Sequence, residues 1–200
     1  MLNLPQFAIA GVDYGSKLAG TTVMAVLVAG EIKLFSSRKG EDADIFLAGL
    51  TEEFRLRKVF IDAPLSLPGV YSGLQHCTDY FYRKADRELR AMSPMFLGGL
   101  TARAIQLKNK LLPSKVQFFE TYPSGWVRFF ATEAVGYRSK AEEPAIFCQK
   151  NVEIHSLITR PFAISSWHHA DALIALMCGL RYENQVHTTY GNPEEGEIVI

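Results

Sequence analysis

The sequence predicts an α/β fold in which an antiparallel three-strand meander is followed by parallel strands of the same mixed sheet, with helices on the flanks. Two observations predict it. Three short apolar runs joined by tight connections fill residues 7–35, and such runs are typical of strands. Apolar residues then recur at helical spacing across residues 42–54, so a helical crossover separates the meander from the next strand-like run.

The first half of the chain can be assigned in order. Residues 7–14, 21–29 and 32–35 form the meander, with a tight turn between the last two strands. The helix over residues 42–54 begins among acidic residues, which the positive end of the helix dipole favours. The strand over residues 58–62 is predicted to run parallel to the first strand because a helix connects it to the meander.

The second half follows from the same two periodicities. Its predicted elements are helices at 78–92 and 101–112, a strand at 115–121, and helices at 124–136 and 166–182. Pro123 ends the strand and Gly136 stops the helix after it. The polar tail ends in a short returning strand.

Length and composition bound the architecture. The chain has 200 residues, 48% of them hydrophobic and 21% charged, which is ordinary for a globular domain. We therefore expect a single domain over residues 1–200, with a helical insertion at about 72–112. The 21 basic and 21 acidic side chains cancel, so tight non-specific binding to nucleic acid is not expected, although a local basic stripe or a metal-mediated phosphate contact stays open.

The expected location is the cytoplasm, with no membrane partner. No basic segment leads into an apolar one at the N-terminus, and no apolar run reaches about 18 residues. Three cysteines without CxxC pairing are typical of reduced thiols. The sequence does not predict an oligomeric state.

Four acidic residues close or interrupt apolar elements, and they are Asp13, Asp62, Glu120 and Asp171. The first three end strands, so parallel strands would bring them to one edge of the sheet, while Asp171 lies on the helix stripe that should face the sheet. Crowded carboxylates repel unless a cation neutralises them. Oxygen ligands without His or Cys favour Mg²⁺ or Mn²⁺, and two such ions can activate water for phosphodiester hydrolysis.

Each acid taken alone also has an ordinary explanation. A strand-end Asp often caps the next turn, Asp171 could be an acid near a helix N-terminus, and Glu120 could pair with a surface arginine. Four independent structural roles for acids at core-facing ends are less expected than one shared site. We therefore predict an acidic site in which all four residues are candidate catalytic groups and candidate ligands of Mg or Mn.

Six stretches spread over most of the chain are informative together, in their order and spacing. They are AGVDYGSKLAG, VFIDAPLSLP, YRKADRELR, ETYPS, HHADALIAL and GNPEEGEIVI. In these stretches the chain resembles the predicted-nuclease family catalogued as domain of unknown function 429. The resemblance implies a ribonuclease-H-like fold, whose Holliday-junction resolvases also begin with a Gly-Ile/Val-Asp-x-Gly strand and end with an acidic residue followed by Ala. It does not imply a substrate.

The resemblance also implies roles for the acids. Asp13 would bridge two metal ions, Asp62 or Glu120 would be the middle ligand, and Asp171 would be the last. The resolvases use a Glu on a strand in the middle position, and both candidates here fit it. Asp62 ranks slightly ahead because it ends the crossover strand directly.

Three arginines, Arg83, Arg87 and Arg90, share one face of the predicted helix over residues 78–92. Guanidinium groups hold phosphate bidentately, so they are candidate substrate-binding residues; a solvated face with an Arg83–Asp86 pair is the alternative. His168 is a fourth candidate, because it precedes Asp171 on one helix and His can exchange protons near neutral pH. Filling of the core or the surface is the alternative for His168.

Two functions follow for the same fold. The leading hypothesis is a metal-dependent nuclease or phosphodiesterase that hydrolyses nucleic-acid phosphodiester bonds through an acidic two-metal site. The alternative is a non-catalytic module that binds a nucleotide or nucleic acid. A third possibility, an ATP-hydrolysing relative of sugar kinases and actin, normally needs two such domains, which 200 residues hardly supply.

Overall fold

A seven-stranded mixed sheet organises the computed structural model, which describes residues 2–130, 136–140, 142–158 and 162–200. The strands are β1 Ile9–Asp13, β2 Val23–Val28, β3 Glu31–Ser36, β4 Lys58–Asp62, β5 Gln117–Thr121, β6 Thr189–Asn192 and β7 Gly196–Val199. Their order across the sheet is β3-β2-β1-β4-β5-β7-β6.

The pairing confirms the predicted mixture of strand directions. β1, β2 and β3 form the antiparallel meander, and β4 and β5 continue from β1 in parallel. The tail forms a hairpin of β6 and β7, and β7 pairs parallel with β5. The predicted returning strand is therefore present, as the second arm of that hairpin.

Eight helices are described. They are α1 Ala43–Glu53, α2 Lys84–Leu89, α3 Pro94–Leu97, α4 Gly99–Leu111, α5 Pro123–Phe130, α6 Pro144–Lys150, α7 Val152–Leu157 and α8 Trp167–Glu183. The helices α1, α4 and α8 confirm three of the predicted ones. Of the helix predicted over residues 124–136, α5 covers the described part, and residues 131–135 lie outside the described residues.

One predicted helix is wrong in length. We predicted a helix over residues 78–92, but the structure has only the six-residue α2 there. The side chain of Asp79 accepts hydrogen bonds from the backbone N–H groups of Phe81 and Tyr82, which holds that segment in a turn instead of a helix. At the other end Arg90 adopts left-handed backbone dihedrals (φ 51°) and ends the helix.

Helices cover both faces of the sheet. The helix α8 packs across β1, β2 and β4, while α1 and α4 pack on the opposite face. Gly11 makes the close approach of α8 possible, because a Cβ atom there would lie 2.1 Å from the backbone N of Leu176. The helices α2, α3 and α4 lie between β4 and β5 in the chain, where the helical insertion was predicted.

Within the described ranges, no helix has both the length and the apolar character needed to cross a bilayer.

Candidate functional site

Two of the predicted acids lie side by side at the carboxyl end of the parallel strands. Asp13 and Asp62 end β1 and β4 and are direct partners in the register of the two strands. Ile9 and Phe60, four and two residues earlier, both belong to the core under α8. Because side chains alternate along a strand, Asp13 and Asp62 share that face of the sheet.

Glu120 lies near them but on the other face. It pairs in register with Ile61, whose side chain packs in the core under α1 and α4. The same alternation therefore turns Glu120 away from Asp62. Parallel strands bring all three acids to one edge of the sheet, as predicted. Because side chains alternate between the two faces of a sheet, however, Glu120 lies on the opposite face from Asp13 and Asp62.

Both carboxylate oxygens of Glu120 are occupied. Arg83 donates to Oε1 at 2.6 Å and to Oε2 at 2.7 Å, and the backbone N–H of Leu65 also donates to Oε2 at 2.9 Å. Burial raises the pKa of Glu120, and the charge of Arg83 opposes that rise. Glu120 therefore forms a buried ion pair with Arg83. The alternative given above for Glu120 was a salt bridge to a surface arginine, and the arginine is buried instead.

Arg83 has no donor left for a phosphate. Its remaining guanidinium N–H groups bond Asp86 at 2.6 and 3.1 Å and Ser66 at 2.9 Å, so all five donors of the group are used. The side chain is fully buried. In this arrangement Arg83 holds Glu120 and Asp86 together instead of facing a ligand.

The other two arginines of the predicted stripe lie at the surface. Arg87 bonds Asp79 at 2.6 Å and stacks on the ring of Tyr82, with its guanidinium carbon 4.0 Å from the centroid. Arg90 is exposed. Because α2 is so short, Arg83 points inward while Arg87 and Arg90 point outward, and the three form no common face.

Asp171 is fully buried. Tyr137 donates a hydrogen bond to its Oδ1 at 2.5 Å, and Arg138 bonds its Oδ2. Burial raises the pKa of Asp171, and the charge of Arg138 opposes the rise. The charge of Asp171 is thus neutralised from within the chain.

His168 contacts the strand-end acids directly. Its Nδ1 lies 2.6 Å from Oδ2 of Asp13, and this hydrogen bond raises the pKa of His168. The neighbouring His169 points elsewhere: its Nδ1 accepts the N–H of Ser165 at 3.2 Å and its Nε2 lies 2.9 Å from the hydroxyl of Ser36. His168 therefore contacts one of the predicted acids, whereas His169 bonds Ser36 and Ser165.

Asp62 differs from the other three acids because it has no hydrogen bond or ion pair with the described residues. Burial, followed by the negative charges of Asp13 and Asp171, holds its pKa well above the usual range. An unpaired carboxylate beside other carboxylates is unfavourable. Binding of a cation would relieve that repulsion.

A cavity of about 320 Å³ opens beside these acids. Its polar wall includes Asp13, Asp62, Thr121, Ser124 and Arg138, and its apolar wall includes Met92, Leu97 and Leu100. The volume is at the lower end of the range of small-molecule sites, about 300–1,000 Å³. The cavity also reaches Glu120 around the end of the sheet.

The donor set fits a hard divalent cation only in part. Asp13 and Asp62 supply carboxylate oxygens of the kind that Mg²⁺ and Mn²⁺ prefer, and Asp62 is unpaired. However, the oxygens of Glu120 and Asp171 are bonded to arginines. Among the described residues, no group of three or more His, Cys, Asp and Glu side chains is arranged to hold a metal ion.

Several residues of the site were not predicted from the sequence. Tyr137 and Arg138 follow Gly136 in an irregular segment, where no periodicity marks a side chain as directed at the core. Thr121 was included only as the end of a predicted strand. The only available signal for Thr121 is its place directly after Glu120, since the next residue on a strand faces the opposite side.

Comparison of the sequence with protein-family models and with curated proteins identified no relative of this chain. No family model matches the chain, and no curated protein matches it. The resemblance to domain of unknown function 429 therefore stays a prediction from the six sequence stretches.

Proposed function

We propose that this protein is a metal-dependent nuclease or phosphodiesterase of ribonuclease-H-like fold. The observation that carries the proposal is the unpaired carboxylate of Asp62, in register with Asp13 and open to a cavity. The mixed sheet order, with a meander followed by parallel strands, is what such a fold requires. The six sequence stretches support the same assignment.

Asp13 and Asp62 would hold the cation, with Asp171 as a third ligand if Arg138 releases it. Bound Mg²⁺ or Mn²⁺ would supply neutralising charge for the phosphate and activation of the attacking water. Glu120 is not a ligand in this proposal, because Arg83 and Leu65 occupy its oxygens. These contacts favour Asp62 over Glu120 as the middle carboxylate of the proposed site.

His168 is suited to donate a proton to the leaving oxygen. Its Nδ1 is hydrogen-bonded to Asp13, while Nε2 has no hydrogen bond with the described residues, and its side chain is 41% exposed. The raised pKa favours the imidazolium form, which is the form that can act as a general acid.

The experiment compares hydrolysis of RNA and of single-stranded, duplex and branched DNA with Mg²⁺ or Mn²⁺. We expect Asp13→Asn and Asp62→Asn to lower the rate more than about hundredfold, since even partners of metal ligands are worth about 10–100-fold. Glu120→Gln should retain activity per folded molecule. Glu53→Gln, an exposed acid on α1, is the matched control.

Full activity in Asp13→Asn or in Asp62→Asn contradicts the proposal. Circular dichroism of each variant separates loss of activity from loss of folding.

A second candidate is the binding module, and one observation favours it. Glu120 and Asp171 are already paired with Arg83 and Arg138, so two of the four acids have an internal cation. This candidate predicts that a nucleotide binds equally well with Mg²⁺ and with a chelator, and that no substrate is hydrolysed. Calorimetry under both conditions distinguishes the two candidates.

A further inference from the structure

We propose that the cavity takes one small phosphoester at a time, with its phosphate at the start of α5 and its organic group against the wall formed by Met92, Leu97 and Leu100. A single nucleotide is the chemical class that fits. This inference rests on the proposed function for the acids, and it names the class of substrate on which they would act. That substrate is a small phosphodiester of one nucleotide, whose hydrolysis by water leaves a nucleotide monoester and a free hydroxyl, so a nucleoside monophosphate serves as a product probe of the same subsite.

A buried hydroxyl without a partner marks the phosphate end. Thr121 is 2% exposed and lines the cavity, yet its Oγ1 makes no hydrogen bond within the described part of the chain. The rings of Phe60 and Phe119 stack on the α8 face with centroids 5.0 Å apart. Two residues further along each strand, Asp62 and Thr121 follow on that same face.

The start of α5 provides one backbone donor near this hydroxyl. This eight-residue helix begins at Pro123, two residues after Thr121, so its N-terminus lies at the same edge of the sheet as the acids. Gly125 and Trp126 bond back to Tyr122, whereas the N–H of Ser124 has no such bond among the described residues. This free N–H and the helix dipole favour an anion at this end.

Arg138 places part of a guanidinium group in the same cavity. Its side chain is 49% exposed while it bonds the buried carboxylate of Asp171, so part of the guanidinium is accessible. Phosphate brought to Thr121 and Ser124 would thus lie between this cation and the acids Asp13 and Asp62. The acids alone would repel it, which is why the subsite depends on the cation of the proposed function.

The opposite wall of the cavity is apolar and partly unprotected. Met92 is 60% exposed although it lines the cavity together with the partly buried Leu97 and Leu100. Apolar side chains left open at a concave surface are typical of sites that cover an organic group. A nucleobase or another flat apolar group would bury Met92 on binding.

Size and charge argue for one nucleotide and against a duplex. A cavity of about 320 Å³ holds a small molecule but no turn of a double helix. The net charge of zero offers no general attraction to a polyanion. Of the three predicted phosphate-binding arginines, Arg83 is buried and fully bonded.

The test is calorimetry of the full chain with Mg²⁺ against adenosine 5′-monophosphate, inorganic phosphate and a duplex oligonucleotide. We expect the nucleotide to bind at least about tenfold more tightly than phosphate, because its base covers the apolar wall. We expect the duplex to bind more weakly than the nucleotide. Equal affinity for nucleotide and phosphate overturns the inference, and so does tighter binding of the duplex.

Two variants test the two ends separately. Thr121→Val keeps the shape and suits a strand; it should weaken binding of both nucleotide and phosphate about tenfold by removing a hydrogen bond to a charged group. Met92→Ala should weaken the nucleotide about fivefold and leave phosphate unchanged. The matched controls are the exposed residues in Thr189→Val and Ile45→Ala.

The outcomes separate this inference from the proposed function. Nucleotide binding that responds to Thr121→Val and Met92→Ala, without hydrolysis of any substrate, supports the subsite and contradicts the phosphodiesterase. Metal-dependent cleavage of a duplex that both variants leave unchanged supports the phosphodiesterase and overturns the subsite. Absence of nucleotide binding also overturns the subsite.

Discussion

Asp62 and Glu120 end neighbouring strands of one sheet and have opposite surroundings. Glu120 accepts two hydrogen bonds from Arg83 and one from the backbone of Leu65, while Asp62 accepts none from the described residues. The one-residue offset between them decides the difference, because it places them on opposite faces. A buried acid with a built-in cation is a structural element, and one without a partner is a candidate binding group.

Asp13 stands between these two cases. Its partner His168 carries a charge that depends on pH, whereas Arg83 is charged at every accessible pH. The three acids therefore form a series with a permanent, a titratable and no internal cation. A substitution can remove the charge or the partner in each of these three cases. The expected change in the free energy of unfolding decreases from the first case to the last.

Removal of the permanent cation should have the largest effect. Arg83→Met leaves Glu120 and Asp86 buried without their partner, and we expect the free energy of unfolding to fall by about 3–5 kcal/mol. Urea denaturation at neutral pH measures the loss. The control is Arg87→Met, because Arg87 is 61% exposed in its pair with Asp79 and such pairs contribute little.

An equal loss of stability in the two arginine variants would contradict the assignment of Arg83 as the central cation of a buried network.

Removal of the unpaired charge of Asp62 should stabilise the protein instead of destabilising it. We expect Asp62→Asn to raise the free energy of unfolding by about 1–3 kcal/mol at neutral pH in a chelator, because the half-buried carboxylate has no partner and is repelled by Asp13 and Asp171. The folded-state pKa of Asp62 is raised above its ordinary 3.8. The wild type should therefore match the variant below about pH 3.8 and lose stability relative to it as pH rises through the raised pKa.

The measurement is a set of urea denaturation curves from acid to neutral pH for both proteins. Added Mg²⁺ should raise the stability of the wild type and not that of Asp62→Asn. A difference between the two proteins that does not change with pH would rule out repulsion as its cause.

Loss of the titratable pair of His168 and Asp13 should have the smallest effect on the free energy of unfolding. Asp13 raises the folded-state pKa of His168 above its ordinary 6.5, so the pair stabilises fully below about pH 6.5 and less as pH rises through the raised pKa. Because the side chain is 41% exposed, solvent screening limits the effect of His168→Gln to at most about 1 kcal/mol. Thermal unfolding at several pH values measures it.

His169→Gln is the comparison, because the contribution of His169 to stability should depend on pH in the opposite direction. Burial lowers the pKa of His169, so the wild-type residue should lose stability as pH falls through that lowered pKa. The same pH dependence in both variants would contradict the pairing of His168 with Asp13.

The strands and long helices could be predicted because their signals are local. The apolar runs of β1, β2 and β4 and the helical spacing of α1 and α8 depend only on which residues neighbour each other. The prediction that Asp13 and Asp62 meet followed from the crossover helix between their strands, and the register confirms it. Asp171 was predicted to face inward on the last helix, and it is fully buried on α8.

The arginine stripe was not predictable in the same way. A helix over residues 78–92 fits the spacing of Arg83, Arg87 and Arg90, but the local hydrogen bonds that the side chain of Asp79 accepts compete with that helix. The buried acids Glu120 and Asp86 then draw Arg83 inward. Glu120 lies far away in the sequence, and its attraction leaves no trace in the local pattern.

The sequence by itself determined most strands and the long helices α1, α4 and α8, the pairing among the first four strands and the edge at which the acids gather, because periodicity and strand connections are properties of neighbouring residues. Only the tertiary structure decided which acids are free. Pairing of Glu120 with Arg83, of Asp171 with Arg138 and of Asp13 with His168 depends on contacts between segments far apart in the chain. Those contacts leave Asp62 beside the cavity as the acid without an internal partner among the described residues.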